Sequence, residues 1–276
     1  MDSIAVIILN YMTWQETLQE IAAVRGVLAD RAYEIIVVDN CSPNESAEKL
    51  ERAAEAEGFT FLKSAENAGY AAGNNIGLQY SAQKGHTYSW VLNNDIEFNH
   101  PQVLQKLLEV FEKDDAIAIV SPDVYSPEGH LFNRDAVKPS VWDLTLGMLA
   151  YKEKGRAEQA AEKGWLYTYR PQGCCMLLDT EKCRQVDFMD PYTFLYCEQI
   201  ILAERLARSG YRCACCSQTR IIHNHSYTVR KALSKFKYVK ANLRSFHYYL
   251  RRYRQFALPV CWLCDLFYGL KVTLLP

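Results

Sequence analysis

The sequence predicts an α/β fold built on a mostly parallel central sheet with helices on both faces. Two observations predict it. Short apolar runs alternate with stretches of helical spacing through the first 120 residues, and three of the runs end in acids and amides. A run with no polar alternation suits a strand buried on both sides, and a βαβα rhythm implies parallel pairing. In such sheets ligands bind at the carboxyl ends of the strands, so polar residues gathered at three strand ends point to one polar cleft.

The elements follow in chain order. "IAVIILNY" is a first buried strand ending at Asn10 and Tyr11, and residues 14–29 give helical spacing through Leu18, Ile21, Ala22 and Val24. "YEIIVVDN" is a second strand, ending at Asp39 and Asn40; "ESAEKLERAAEAEG" is a charged helix closed by Gly58. "FTFLKS" is a third strand and "YAAGNNIGLQYSAQKG" a third helix. "YSWVLNND" is a fourth strand that stops at Asn93, Asn94 and Asp95, followed by a helix over 101–113 and the strand "AIAIVSP". From residue 122 to 169 the pattern loosens around the charged segment "YKEKGRAEQAAEKG". "RPQGCCMLL" then reads as a strand, "PYTFLYCEQIILAERLARSGY" as an acidic turn entering a helix, and "RCACC" with "TRIIHNHS" completes the body.

Beyond Thr228 the chemistry changes. Residues 228–254 carry nine Lys or Arg and no acid; the 276-residue chain has a net charge of -1, so the first 227 residues are strongly acidic. An acidic body with a basic tail suggests that the tail meets something anionic. A basic, aromatic helix followed by "FALPVCWLCDLFYGLKVTLLP" fits an interfacial anchor on an anionic membrane surface. A helical hairpin packed on the body and a dimer interface are the structural alternatives. A nucleic-acid partner is disfavoured, because an acidic body opposes a phosphate backbone. "MDSIAVIILNY" lacks a basic n-region and carries Asp2, so it reads as a strand and not a signal peptide. With ten cysteines, several adjacent, this favours a reduced cytoplasmic setting. "CACC" and "CWLC" read as buried cysteines in preference to a zinc site.

The polar cleft first suggests nucleotide binding, yet there is no GxGxxG after the first strand and no GxxxxGK[ST] anywhere. A chain that binds a diphosphate without a glycine cradle recruits a divalent cation. Asp95 supplies an oxygen ligand suited to Mg²⁺ or Mn²⁺. The bland alternative for "NND" is a turn.

Four stretches, in order, carry a resemblance over roughly residues 3–230: "VIILNY" with "EIIVVDNCSPNES"; "ENAGYAAGNNIGL"; "VLNNDIEF"; and "GCCMLL" through "FMDPYTFLYCEQIILAERLARSGY" to "IIHNHSYT". The chain resembles glycosyltransferase family 2, with its Rossmann-like GT-A fold, especially enzymes that build bacterial capsular and cell-wall polysaccharides with rhamnosyl or galactosyl units. The resemblance implies a GT-A domain over 1–228, with a nucleotide-sugar half (1–121) and an acceptor half (122–228), and a separate segment over 229–276. Asp39 and Asn40, with Asn10 and Tyr11, would receive the nucleoside. Asn67, Gly69, Asn74 and Asn75 would approach the nucleotide and sugar. Asn93, Asn94 and Asp95 match the metal motif, and His223 the family's late histidine, with His225 an alternate. Where the family places an acidic pair before the helix, this chain has Glu198 and Gln199. Glu198 is the expected base, Asp190 a possible helper, and Arg205 a helix-orienting residue.

The expectation is a metal-dependent inverting hexosyl- or rhamnosyltransferase. It would move a sugar from a UDP- or dTDP-linked donor to a glycan or glycolipid acceptor at the inner face of the plasma membrane. One rival is a sugar nucleotidyltransferase, but "NYMTWQETL" lacks the Gly-rich basic loop it needs. The other is a catalytically impaired scaffold, for which Gln199 is the argument.

Overall fold

A computed structural model describes residues 3–28, 31–132, 136–147, 163–224 and 235–274. Among the described residues nine strands form one sheet: β1 (Ile4–Asn10), β2 (Tyr33–Asp39), β3 (Thr60–Lys63), β4 (Tyr88–Leu92), β5 (Ile96–Phe98), β6 (Ile117–Tyr125), β7 (Trp165–Thr168), β8 (Cys175–Asp179) and β9 (Arg212–His223). The helices are α1 (Trp14–Leu28), α2 (Ser46–Glu57), α3 (Tyr70–Lys84), α4 (Val103–Phe111), α5 (Thr180–Gln185), α6 (Glu198–Arg208), α7 (Lys235–Tyr248) and α8 (Leu258–Leu274), with a π-helical turn over Tyr249–Tyr253.

The strand order is β3-β2-β1-β4-β8-β6-β9-β5, with β7 also paired to β9. The first four run parallel, as the βα alternation requires. β8 then pairs antiparallel with β4 and with β6, and only β6–β9 returns to parallel pairing. The period-2 geometry of β1 explains why its run is apolar throughout. Ile4, Val6 and Ile8 pack with Ile21 and Val24 of α1 and with Leu104 of α4, while Ala5 and Ile7 meet Leu78 of α3 on the other face. Trp90, fully buried in β4, anchors the first layer, and truncating it to Ala would cost about 3–5 kcal/mol.

Register sets the cleft. Asn10 lies opposite Asp39 and Ile8 opposite Leu92, so β1, β2 and β4 end together and Asn93–Asp95 follow at the same edge. Because β8 runs antiparallel to β4, its amino end, with Cys174 and Gly173 just before it, abuts that edge. The antiparallel β5–β9 pair sets His223 opposite Ile96, one residue past Asp95.

α7 and α8 form an antiparallel hairpin: Phe246 stacks on Tyr268 with centroids 4.2 Å apart, and the Tyr268 hydroxyl lies 3.1 Å from Asn242 Oδ1. One face packs on the body through Tyr249, Leu250, Cys261 and Cys264 against Ile200 and Ile201 of α6. The cysteines of "CWLC" are thus core residues; Cys213 and Cys216 likewise join the two sheet-face clusters. Among the described residues no helix is long and apolar enough to cross a membrane.

Candidate functional site

A cleft of about 470 Å³ opens at the carboxyl edge of the parallel strands. Of the residues expected to bind the nucleotide-sugar, Tyr11, Asn40, Asn67, Gly69, Asn93, Asn94 and Asp95 line it, as do Glu198 and His223. The fold therefore gathers residues from four strand ends and two helix N-termini.

Asn10, Asp39, Asn74 and Asn75 do not line it, and each has a physical reason. Asp39 is fully buried and its oxygens are already engaged: Asn10 Nδ2 donates to Oδ1 at 2.7 Å, Ser42 Oγ at 2.6 Å, and the Ser42 backbone N–H reaches Oδ2 at 2.9 Å. Asn10 also accepts from Thr17 Oγ1 at 2.9 Å, so the pair knits the ends of β1 and β2 under the cleft floor. Asn74 is fully buried and donates to Tyr70 O. Asn75 clips the backbone of Met189 from both sides, donating to its carbonyl at 2.8 Å and accepting its N–H at 3.1 Å. These four are organisers of the cleft's frame. His225 lies outside the described residues.

Gly69 lines the cleft and at the same time approaches the protein backbone closely. Its φ of 101° is in the left-handed region, and a Cβ there would collide with the backbone of Phe194, whose carbonyl accepts from Tyr70 N at 2.9 Å. That contact joins the amino-terminal half to the loop before α6. Asn40 Nδ2 donates to Asn67 Oδ1 at 3.1 Å, holding the loop's other side.

At the metal motif, His223 Nε2 lies 3.0 Å from Asp95 Oδ1 and 3.2 Å from Asn93 Nδ2. Asn94 donates to Thr13 Oγ1 and Thr17 Oγ1, each at 2.8 Å, which turns it toward α1 and fixes the strand end. Burial works against a charge on His223, but Cys174 and Asp95 beside it outweigh that and hold its pKa up at about 10. Beneath lies Glu20 of α1, whose Oε2 accepts from Ile96 N at 3.2 Å while Oε1 has no partner. Burial raises its pKa to about 8, opposed by the Ile96 N–H.

Among the described residues no group of three or more His, Cys, Asp or Glu is arranged to enclose a metal ion. A partly exposed carboxylate beside an imidazole, both lining an open cleft, instead fits a cation that takes its remaining ligands from substrate phosphates and water.

Across the cleft Glu198 opens α6. The two residues before it, Tyr196 and Cys197, both adopt left-handed backbone with φ of 69° and 67°. Non-glycine residues held this way cluster at active sites. Glu198 is only 5% exposed and its Oε2 has no hydrogen-bond partner. Burial raises its pKa to about 7, against the backbone N–H groups of Glu198 and Tyr196 and the nearby Arg170. Gln199 lines the cleft beside it.

Asp190 is not positioned as a base. It accepts from Tyr248 OH at 2.8 Å, from Tyr253 OH and from Tyr192 N at 2.9 Å. Burial opposes its charge, but these donors outweigh that and hold its pKa below the usual carboxylate range. Arg205 is engaged with backbone carbonyls, donating to Phe188 O at 3.1 Å and to Val186 O, as a helix-orienting residue would be.

Sequence reasoning missed Tyr70, Arg170, Cys174 and Glu20. Tyr70 opens α3 and reaches the cleft through its hydroxyl on Asn93 and Gly173, while Arg170 and Cys174 come with the chain that enters β8, a placement no local pattern states. Glu20 could have been found: it lies three residues past Thr17 on the inward face of α1, where a carboxylate needs a reason to be buried.

Residues 3–180 match the family model for glycosyl transferase family 2. The chain is 25% identical over 225 residues to the low-salt glycan biosynthesis hexosyltransferase Agl10 of Haloferax volcanii, covering 81% of this chain and 68% of that protein. It is 19% identical over 231 residues to the N-acetylglucosaminyl-diphospho-decaprenol L-rhamnosyltransferase of Mycobacterium tuberculosis, covering 76% of this chain and 73% of that protein. Among solved structures, the fold matches the mannosyltransferase PcManGT from Pyrobaculum calidifontis in complex with GDP-Man and Mn²⁺. That match has a TM-score of 0.62 and 16% identity over 99% of this chain and 70% of the other. It also matches GalNAc-T7 with UDP, GalNAc and Mn²⁺, with a TM-score of 0.67 and 17% identity over 98% of this chain and 54% of the other. A GT-A sheet whose polar strand ends meet in one cleft, and a family model spanning well over half of the residues, place this chain in glycosyltransferase family 2.

Proposed function

We propose that the cleft carries out inverting transfer of a hexosyl or rhamnosyl unit from a nucleotide-diphosphate sugar to a lipid-linked glycan. The observation that carries this reading is a buried carboxylate oxygen without a partner, Glu198 Oε2, in the same cleft as the Asp95–His223 pair. A base with a pKa of about 7 suits proton abstraction at neutral pH.

In this scheme residues 1–121 bind the donor and residues 122–228 the acceptor. Tyr11, Asn40 and Asn67 face the nucleoside, while Asp95 would hold Mn²⁺ or Mg²⁺ at the diphosphate end and His223, which carries a proton beside Asp95 in the metal-free site, would give that proton up to join it as a ligand. The bound cation supplies positive charge that offsets the leaving diphosphate. Glu198 accepts the proton of the acceptor hydroxyl as its oxygen forms the new bond to the anomeric carbon. The bond from that carbon to the diphosphate breaks on the opposite face, which inverts the configuration. Phe194 and Leu195, from the loop just before α6, line the cleft beside Glu198 and give it an apolar wall.

The diphospho-decaprenol in the name of the mycobacterial relative supports a lipid-linked acceptor, and a lipid-linked acceptor would place the work at the inner face of the plasma membrane. A basic, apolar-faced hairpin is suited to peripheral docking on an anionic bilayer, with a homodimer through another surface of the hairpin as the alternative. Gln199 favours a second reading, a scaffold impaired in catalysis.

Calorimetric titration of UDP, dTDP and GDP into the protein, with Mn²⁺ or with EDTA, tests the site. One nucleotide is expected to bind with Mn²⁺ and to bind at least about tenfold more weakly in EDTA and in Asp95→Ala. Equal binding with and without metal would defeat the assignment of Asp95.

A further inference from the structure

The α7–α8 hairpin has an outer face that the described residues of the body do not cover. Between the two helices it forms a groove of about 650 Å³, a size usual for small-molecule sites. Its walls are Phe236 and Leu243 of α7 and Trp262 and Leu266 of α8; its rim carries Lys240 and Arg244. Phe236 is 77%, Trp262 62% and Leu266 59% exposed, so large apolar side chains face water here while Cys261 and Cys264 of the same helix are buried.

The spacing is built for one occupant. Phe236, Lys240 and Arg244 follow at four-residue intervals and so share a stripe of α7, two cations one turn apart above an apolar wall. Asp265, the acid that lines the groove, is paired with His247 Nδ1 at 2.6 Å. The remaining charge is positive. Two copies of this face meeting about a twofold axis would set like charges together, which argues against self-association. The groove also adjoins the acceptor loop. Arg244 lies 5.1 Å above the Tyr192 ring, Tyr192 stacks on Tyr248 at 4.0 Å, and the neighbouring Ser245 Oγ donates to Leu195 O at 2.9 Å.

We propose that this groove binds a single lipid diphosphate, its chain against Phe236, Leu243, Trp262 and Leu266 and its diphosphate on Lys240 and Arg244. The inference rests on the reading of the acceptor as lipid-linked. It assigns the hairpin the task of holding the carrier while the sugar end enters beside Glu198. Lysine and arginine serve different parts of that head: arginine's fork engages two phosphate oxygens and lysine acts as a point charge.

Trp262 is a built-in reporter. The full-length protein is titrated in EDTA with farnesyl diphosphate, farnesol and inorganic diphosphate, and its fluorescence is compared with that of Trp262→Phe. The signal from Trp262 should saturate with farnesyl diphosphate, and farnesol should bind at least about tenfold more weakly. Inorganic diphosphate should leave the signal unchanged. Lys240→Ala with Arg244→Ala should weaken farnesyl diphosphate about tenfold or more, and Leu266→Glu should do the same. All three positions are exposed, and circular dichroism verifies that the variants fold.

Equal affinity for farnesol, or no effect of the double variant, overturns the proposal. So does a response that needs vesicles of anionic phospholipid, or one that tracks dimer formation in sedimentation. Nucleotide binding with Mn²⁺ is measured on the same samples. If it persists while farnesyl diphosphate fails to bind, the groove assignment falls alone; if it is absent, the transferase reading falls with it.

Discussion

Asp190 ties the hairpin to the loop that delivers Glu198, and Asp190→Asn tests whether that tie matters for chemistry. The carboxylate collects two tyrosine hydroxyls from the end of α7 and the π-helical turn, plus the Tyr192 N–H. Asparagine keeps one carbonyl acceptor and removes the charge. Hydrogen bonds to a charged group contribute about 1.5–3 kcal/mol each, and partial exposure lowers that, so the loss in stability should be about 2 kcal/mol. Tyr248→Phe and Tyr253→Phe should each cost about 1 kcal/mol, and each should couple to Asp190→Asn by at least about 0.5 kcal/mol in a double-mutant cycle. Thermal unfolding measures the cycle, and steady-state transfer reads out kcat and KM. Loosening the loop should lower kcat about tenfold and leave the donor KM unchanged, in the tyrosine variants as well as in Asp190→Asn. A loss of about 10³-fold or more in Asp190→Asn alone, with the tyrosine variants fully active, would refute the reasoning and identify Asp190 as the base.

Glu198 must be ionised to accept a proton, and burial has raised its pKa to about 7; kcat should therefore climb about tenfold per pH unit below 7 and level off above it. A rate that stays flat from pH 5 to 8 would contradict that role. Gly69→Ala would drive a Cβ into the Phe194 backbone from a left-handed conformation, so it should lower stability by more than about 1 kcal/mol and reduce kcat, measured by thermal unfolding and turnover. Glu20 has a folded pKa of about 8 against an ordinary value of 4.5, so the folded state binds its proton more tightly. Its contribution to stability is full below pH 4.5 and is lost as pH rises toward 8. Glu20→Gln should remove that loss, leaving a variant more stable than the parent by about 1–3 kcal/mol at pH 9 and little changed at pH 5. A parent melting temperature equally sensitive to pH in the variant would contradict this.

Local chemistry made part of the site legible. "NND" after an apolar run announced Asp95 at a strand end, and the resemblance supplied His223 and Glu198; all three line one cleft. Asp39 and Asn75, expected at the nucleotide-sugar, instead have protein partners in this structure, for one shared reason. A polar side chain at a strand end or helix start can face a ligand or satisfy the backbone of a distant loop, and only the tertiary partner decides. For Asp39 that partner is Asn10, 29 residues away; for Asn75 it is Met189, 114 residues away. The same limit applied to the sheet. Buried apolar runs predicted β1, β2 and β4 in parallel, but nothing in "CCMLL" states that β8 inserts antiparallel beside β4 and carries Cys174 to the metal motif. β5 and β7, three and four residues long, fell below what periodicity can reveal. The hairpin's apolar and basic composition was visible, whereas its two faces were not: "CWLC" packs inward through Cys261 and Cys264 while Trp262 between them faces out.

The central claim is that this cleft transfers sugar through Glu198. Its most direct test is release of nucleoside diphosphate from a panel of sugar nucleotides with Mn²⁺, in the parent and in Glu198→Gln, with a lipid-diphosphate sugar as acceptor. One donor should be turned over by the parent. Glu198→Gln should bind that donor equally well yet release product at least about 10²-fold more slowly. Donor binding without turnover in the parent, or turnover that survives Glu198→Gln undiminished, would contradict it.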